Sequence, residues 1–145
     1  DNMARYAARN VIRLMLKNGI DVARRPVGVM GLPFKENCPD IRNSKVADLV
    51  KELQNWGANV VVADPWANSD EVKYEYGIHL GVIGQSNKVD SLVVAVGHRE
   101  FRALTPLHLR NFCSAEKPVL ADLKSLFNRH DASDSGCTGW RRERK

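Results

Sequence analysis

Cysteine is scarce in this chain. There are three among 145 residues, Cys38, Cys113 and Cys137, far apart and nowhere in a C-x-x-C spacing. That argues against a disulfide framework or a zinc site and for a reducing compartment, the cytoplasm. The four histidines, His79, His98, His108 and His130, show no metal-ligand spacing either. Aromatic residues are only 7% of the chain, and none interleaves with its cations as a stacking platform for nucleic-acid bases requires. No apolar run approaches the ~20 residues needed to span a bilayer, and no secretory signal opens the chain. The dinucleotide fingerprint G-x-G-x-x-G is missing as well: Gly28 and Gly31 give only G-x-x-G, and Pro33-Phe34 stands where the tight turn would continue.

What is present suits one domain with a real core: hydrophobic content is 43% and charged content 27%. The first residue, Asp1, already lies in a helix-like pattern, so the chain is expected to be part of a longer one. The net charge of +5 is unevenly spread. Arg5, Arg9, Arg13 and Lys17, spaced four apart, form one stripe along a helix, and Arg141, Arg142, Arg144 and Lys145 close the chain. A nucleic-acid or membrane patch is one reading. A solvated helix face followed by a disordered tail is the plainer one and is preferred, so neither nucleic acid nor membrane is expected as a partner.

Along the chain, residues 2–17 read as a helix, with Ala4, Ala7, Ala8, Val11, Leu14 and Met15 opposite the basic stripe and Asn18-Gly19 as its stop. A link to residue 24 follows, and the compact domain is placed at 25–130. Strands are expected at 27–31, 59–63, 78–80, 92–96 and 119–122. Between them come a helix over 45–56 capped by Ser44, one over 69–76 capped by Ser69, and two short helices after His98 and from Pro106. From Asp131 to Lys145 the chain turns polar and Gly/Ser-rich, and order is expected to decline. Strands alternating with helices predict an α/β fold, a Rossmann-like, doubly wound parallel sheet of about five strands preceded by a long helix.

In such a sheet ligands sit at the carboxyl ends of the strands, beside the switch point. Three segments are expected to converge there: the loop after the first strand, the turn at Gly97-His98 and the turn at Asp122-Leu-Lys124. The first loop carries the richest chemistry. Lys35 offers a point charge to phosphate oxygens, Phe34 either offers an apolar face or is a core residue, and Pro33 and Pro39 limit the entropy lost on binding. Arg42 is a second candidate cation, although it could simply pair with Asp40 or Glu36; Lys124 is a third. Asp64, ending the second strand, mimics a ribose-binding acid but lies beyond the usual offset. Cys38 has no base within its loop and is read as structural, His98 as a helix-start residue, and Trp66 and Tyr76 as packing residues.

Gly31-Leu-Pro-Phe-Lys35 followed by Asp40-Ile-Arg-Asn-Ser44 resembles the G-L-x-F-K-x-x-x-x-D-x-R-x-S signature of the UDP-glucose/GDP-mannose dehydrogenase family, where it opens the C-terminal, UDP-binding domain. Val62-Ala-Asp-Pro65, Val94-Ala-Val-Gly-His-Arg-Glu-Phe101 and Ala121-Asp-Leu-Lys124 resemble its later strand ends. Asp1-Asn-Met3 and the helix to Gly19 resemble the last helix of its central, dimer-forming domain. The Phe34–Ser44 wording is similar to that of the bacterial branch acting on UDP-N-acetylhexosamines for surface polysaccharides. The resemblance implies an oxidoreductase that converts a sugar C6 hydroxyl to a carboxylate in two NAD-dependent hydride transfers through a cysteine thioester. It further implies a homodimer or higher assembly, with NAD and the catalytic groups held by domains outside this chain. Carried over residue by residue, it makes Phe34, Lys35, Arg42 and Lys124 UDP contacts and leaves Cys38 without a catalytic role. Pro33 departs from the family pattern and stiffens the loop; Ala4 stands where many members have Gly.

Overall fold

The computed structural model describes residues 2–141. Helix α1 (Asn2–Lys17) buries Ala4, Ala7, Ala8, Val11, Ile12, Leu14 and Met15 on one face, while Arg5, Arg9, Arg13 and Lys17 stay exposed. This is the periodicity expected of an amphipathic helix. Strand β1 (Val27–Met30) follows the link, and all four of its residues are buried. Ser44 then opens α2 (Lys45–Asn55), its hydroxyl accepting the Ala47 amide, and Val46, Leu49, Val50 and Leu53 form the buried stripe. Strand β2 (Val60–Ala63) leads to α3 (Ser69–Tyr76). The cap of α3 is Asn68 rather than Ser69: its side-chain oxygen accepts from the amides of Asp70 and Glu71.

The remaining elements are β3 (Ser91–Val94), α4 (Arg99–Arg102), α5 (Pro106–Asn111), β4 (Val119–Asp122), α6 (Arg129–Asp134) and β5 (Thr138–Trp140). The five strands form one sheet in the order β2-β1-β3-β4-β5, every pair parallel. The chain moves outward from β1 to β2 and then crosses back over β1 to β3, so the switch point lies between β1 and β3.

Alternation along the strands divides the core in two. Val27, Val29, Val93, Val119 and Ala121 pack with α1, α2 and α3 on one face. Met30, Leu92, Val94 and Leu120 pack with Phe101, Leu109, Phe127 and Ala132 on the other. Helices on both faces of an all-parallel sheet make the doubly wound fold expected from the sequence.

Two expectations are corrected. Residues 78–80 make no strand: only Leu80 forms a single bridge, to Val62. The fifth strand lies instead at Thr138–Trp140, inside the stretch expected to lose order from Asp131. Asn128 caps α6, Ala132 and Cys137 are buried, the Thr138 amide donates to the Pro118 carbonyl, and Trp140 meets Tyr6 edge-on at 5.7 Å between ring centroids. A three-residue strand is too short to show periodicity of its own; pairing with β4 creates it. The remaining closing cations, Arg142, Arg144 and Lys145, lie outside the described residues.

Candidate nucleotide site at the carboxyl edge

The loop from Gly31 to Ser44 leaves β1 at the switch point, and glycine is required where it starts. Gly31 has φ +102, and a Cβ there would stand 2.6 Å from Val96 Cβ. The far end is secured by Ser44, whose hydroxyl donates to the Leu32 carbonyl at 2.6 Å. The Tyr76 hydroxyl accepts the Ser44 amide at 3.1 Å and donates to the Ile41 carbonyl. Tyr76 is therefore more than a packing residue: it reaches from α3 to hold the loop's last turn.

A buried polar cluster secures the near end. Asp64, just past β2, accepts the Leu32 amide on Oδ2 at 2.9 Å and the amides of Trp66 and Ala67 on Oδ1 at 2.7 and 2.9 Å. His98, just past β3, places Nε2 2.8 Å from the same Asp64 Oδ2, and its Nδ1 accepts the Asn37 amide at 2.9 Å. Both side chains are fully buried. Asn37, at φ 54, in turn accepts the Arg99 amide on its Oδ1 at 2.7 Å. Arg102 joins the Gly97 carbonyl to Glu36, at 3.0 and 3.2 Å. Trp66 is held from two sides, donating to Glu100 at 2.9 Å and lying 4.9 Å beneath the Arg99 guanidinium.

Among the candidate residues, Phe34 is 67% exposed and Lys35 is exposed beside it, between the anchored Leu32 and Asn37. Arg42 is also exposed, but Asp40 grips it through Nε at 3.0 and 3.2 Å and Nη2 at 2.7 Å. Those hydrogen bonds hold the Asp40 carboxyl down at about 2 and raise Arg42 further. Lys124 is exposed in the turn after β4. That turn is tied back by the buried Asp122, which accepts the amides of Leu126 and Phe127 at 3.0 and 2.8 Å, and Ser125 takes φ 53 within it. The loops after β1 and β4 flank β3 on the same edge, roughly 10 Å apart at the level of the strands. The Gly97-His98 turn is joined directly to the Phe34–Lys35 loop through Asn37, and the turn carrying Lys124 leaves the sheet two strands from β1.

His98 does occupy the position before α4, but its ring caps nothing. The sequence carried a faint sign of its role, a histidine shortly after one strand and an acid just after another, the two strands lying on either side of β1. Asp64, the residue placed to bind a ribose, has no exposed side-chain surface and spends both oxygens on the fold. Val96 packs directly against Gly31. The three cysteines are free: Cys38 is half-buried, and burial pushes the Cys113 thiol up to about 12 and raises that of Cys137.

Residues 28–129 match the UDP binding domain of the UDP-glucose/GDP-mannose dehydrogenase family. The chain is 43% identical over 124 residues to a UDP-N-acetyl-D-glucosamine 6-dehydrogenase of Salmonella typhi, covering 86% of this chain and 29% of that protein. It is 40% identical over 134 residues to the enzyme of the same name from Pseudomonas aeruginosa, covering 92% and 31%. Among solved structures, an NDP-N-acetyl-D-galactosaminuronic acid dehydrogenase from Methanosarcina mazei Go1 superposes with a TM-score of 0.84 at 18% identity, over 96% of this chain and 29% of that one. The chain thus spans less than a third of the length of these relatives.

Proposed function

Because the chain belongs to the UDP-glucose/GDP-mannose dehydrogenase family, as its UDP-binding domain, we propose that it holds the nucleotide of a UDP-N-acetylhexosamine for a 6-dehydrogenase. The names of the two bacterial relatives support this choice of sugar. The enzyme would oxidise the C6 hydroxyl to a carboxylate in two hydride transfers, in the cytoplasm, toward surface polysaccharide. NAD and the catalytic groups would come from parts of the enzyme outside this chain. Residues 1–24 would be the end of a central, dimer-forming domain and 25–130 the binding domain, in a homodimer or larger assembly.

The observation that carries the reading is the placement of Phe34 and Lys35. They stand exposed between anchored residues, at the carboxyl edge and beside the switch point. Lys35 would meet the diphosphate and Phe34 the nucleoside, with Lys124 closing from the β4 turn. Arg42 would contribute while still held by Asp40. Firm binding of the remote nucleotide supplies the energy that orients the reacting end of the sugar.

Calorimetric titration with UDP, with NAD in parallel and Lys35→Ala as control, tests the reading. Binding of UDP that Lys35→Ala weakens at least about tenfold, as the loss of a charge-assisted phosphate contact should, is the expected result. Binding of NAD without UDP would overturn it.

A further inference from the structure

We propose that Asp64 and His98 form a brace that positions the Phe34–Lys35 loop, with His98 held as the Nε2–H tautomer, so that both are positioning residues for the nucleotide. This rests on the reading that Phe34 and Lys35 contact the nucleotide, and adds what sets their position.

The brace is a closed path. The Leu32 amide donates to Asp64 Oδ2, Asp64 Oδ2 meets His98 Nε2, and His98 Nδ1 accepts the Asn37 amide. Two buried side chains from two other strands thereby clamp both ends of the four residues 33–36. The backbone amide of Asn37 has only a hydrogen to offer, so Nδ1 must present a lone pair. Nε2 then carries the ring hydrogen and donates to the carboxylate. Each contact fixes the next, and neither side chain has exposed surface with which to serve a ligand directly.

The surroundings reinforce this arrangement. Trp66 stacks on the His98 ring at 6.1 Å and Phe101 tilts against it at 5.4 Å, fixing the imidazole plane. The charged groups around the ring are Asp64 from the end of β2, Arg99, Glu100 and Arg102 from α4, and Glu36 from the loop itself. Arg102 and Glu36 pair with each other, while Glu100 is taken by Trp66. Among the described residues, Asp64 is the acid placed against the ring nitrogen. A loop held only by surface ion pairs would wander, because such pairs contribute little. A buried, fully satisfied network instead fixes one arrangement.

Two substitutions separate the halves of the brace. His98→Asn keeps an acceptor near the Nδ1 position and loses the reach to Asp64. His98→Gln keeps a donor toward Asp64 and loses the acceptor for Asn37. The 145-residue chain would be examined for three quantities: the ring 15N shifts of His98, hydrogen exchange of the Asn37 amide, and the Kd for UDP, with thermal stability recorded alongside.

The unaltered protein should show the Nε2–H tautomer and a protected Asn37 amide. His98→Gln should lose that protection and bind UDP about tenfold more weakly, the effect of one displaced contact. His98→Asn keeps the Asn37 link but breaks the one to Asp64, so it should retain partial protection and weaken UDP binding by an intermediate factor of about threefold, whichever variant melts lower. Affinities that simply follow melting temperature would overturn the proposal, as would an Nδ1–H tautomer in the unaltered chain, a reading that needs no variant to fold. Should the unaltered chain bind no UDP, the nucleotide reading fails, and the Asn37 exchange rates still decide whether the brace exists.

Discussion

Ser44→Ala should destabilise the protein more than a helix cap alone explains, because one hydroxyl serves two elements. It accepts the Ala47 amide at 3.1 Å as the cap of α2, and it donates to the Leu32 carbonyl at 2.6 Å across the loop. Ser44 is 4% exposed, so water does not easily replace either bond. Loss of the cap costs about 1 kcal/mol. Leaving the Leu32 carbonyl without its partner adds about 1–2 kcal/mol. The sum is about 2–3 kcal/mol. With an unfolding entropy near 2.1 cal/mol/K per residue, roughly 0.3 kcal/mol/K for a chain of this size, that lowers Tm by about 7–10 °C.

Ser44→Gly serves as the internal comparison. Glycine at a cap position is only a few tenths of a kcal/mol worse than serine, so what this variant loses beyond that belongs to the Leu32 bond. Urea and thermal denaturation of the three proteins, followed by far-UV circular dichroism, give both numbers. If Ser44→Gly stays within about 0.5 kcal/mol of the parent, the loop bond is worth nothing and the reasoning fails.

Gly31→Ala should be worse still, by more than about 3 kcal/mol, since it combines a positive φ with a methyl group driven into Val96; a Tm within a few degrees of the parent would refute this. Arg42→Ala should let the Asp40 carboxyl rise from about 2 toward its ordinary 3.8, as read from its NMR titration. Because the folded value is depressed, what the pair contributes is present at neutral pH and is lost as pH falls through about 2. Both residues lie at the surface, so little change in stability should accompany it. The raised thiols act in the opposite direction. The folded chain keeps the Cys113 proton up to about 12 while the unfolded chain releases it near 9, so stability should fall as pH rises between those values. Alkylation of the native protein near pH 8 should label Cys38 ahead of Cys113 and Cys137, and equal rates would contradict the burial.

Much of this protein was legible in its local pattern. The helical spacing of Ala4, Ala7, Val11 and Met15, the apolar runs at Val27–Met30, Ser91–Val94 and Val119–Asp122, and the serine before α2 all state their role within a few residues. Periodicity and capping are short-range effects, so a single stretch of sequence determines them. From those elements the parallel, doubly wound sheet follows, and with it the edge at which Phe34 and Lys35 emerge. The parts that were misread depend on partners far along the chain. Thr138–Trp140 becomes a strand only against β4, and residues 78–80 fail to become one because the sheet order leaves Leu80 a single bridge to β2. Asp64 and His98 are separated by 34 positions, and only the parallel register of β2, β1 and β3 sets their side chains 2.8 Å apart. By itself, then, the sequence determined most of the helices and strands and the loop that carries Phe34 and Lys35. The tertiary structure decided which buried groups hold that loop in place, because a hydrogen bond between distant residues exists only once the sheet has brought its strands into register.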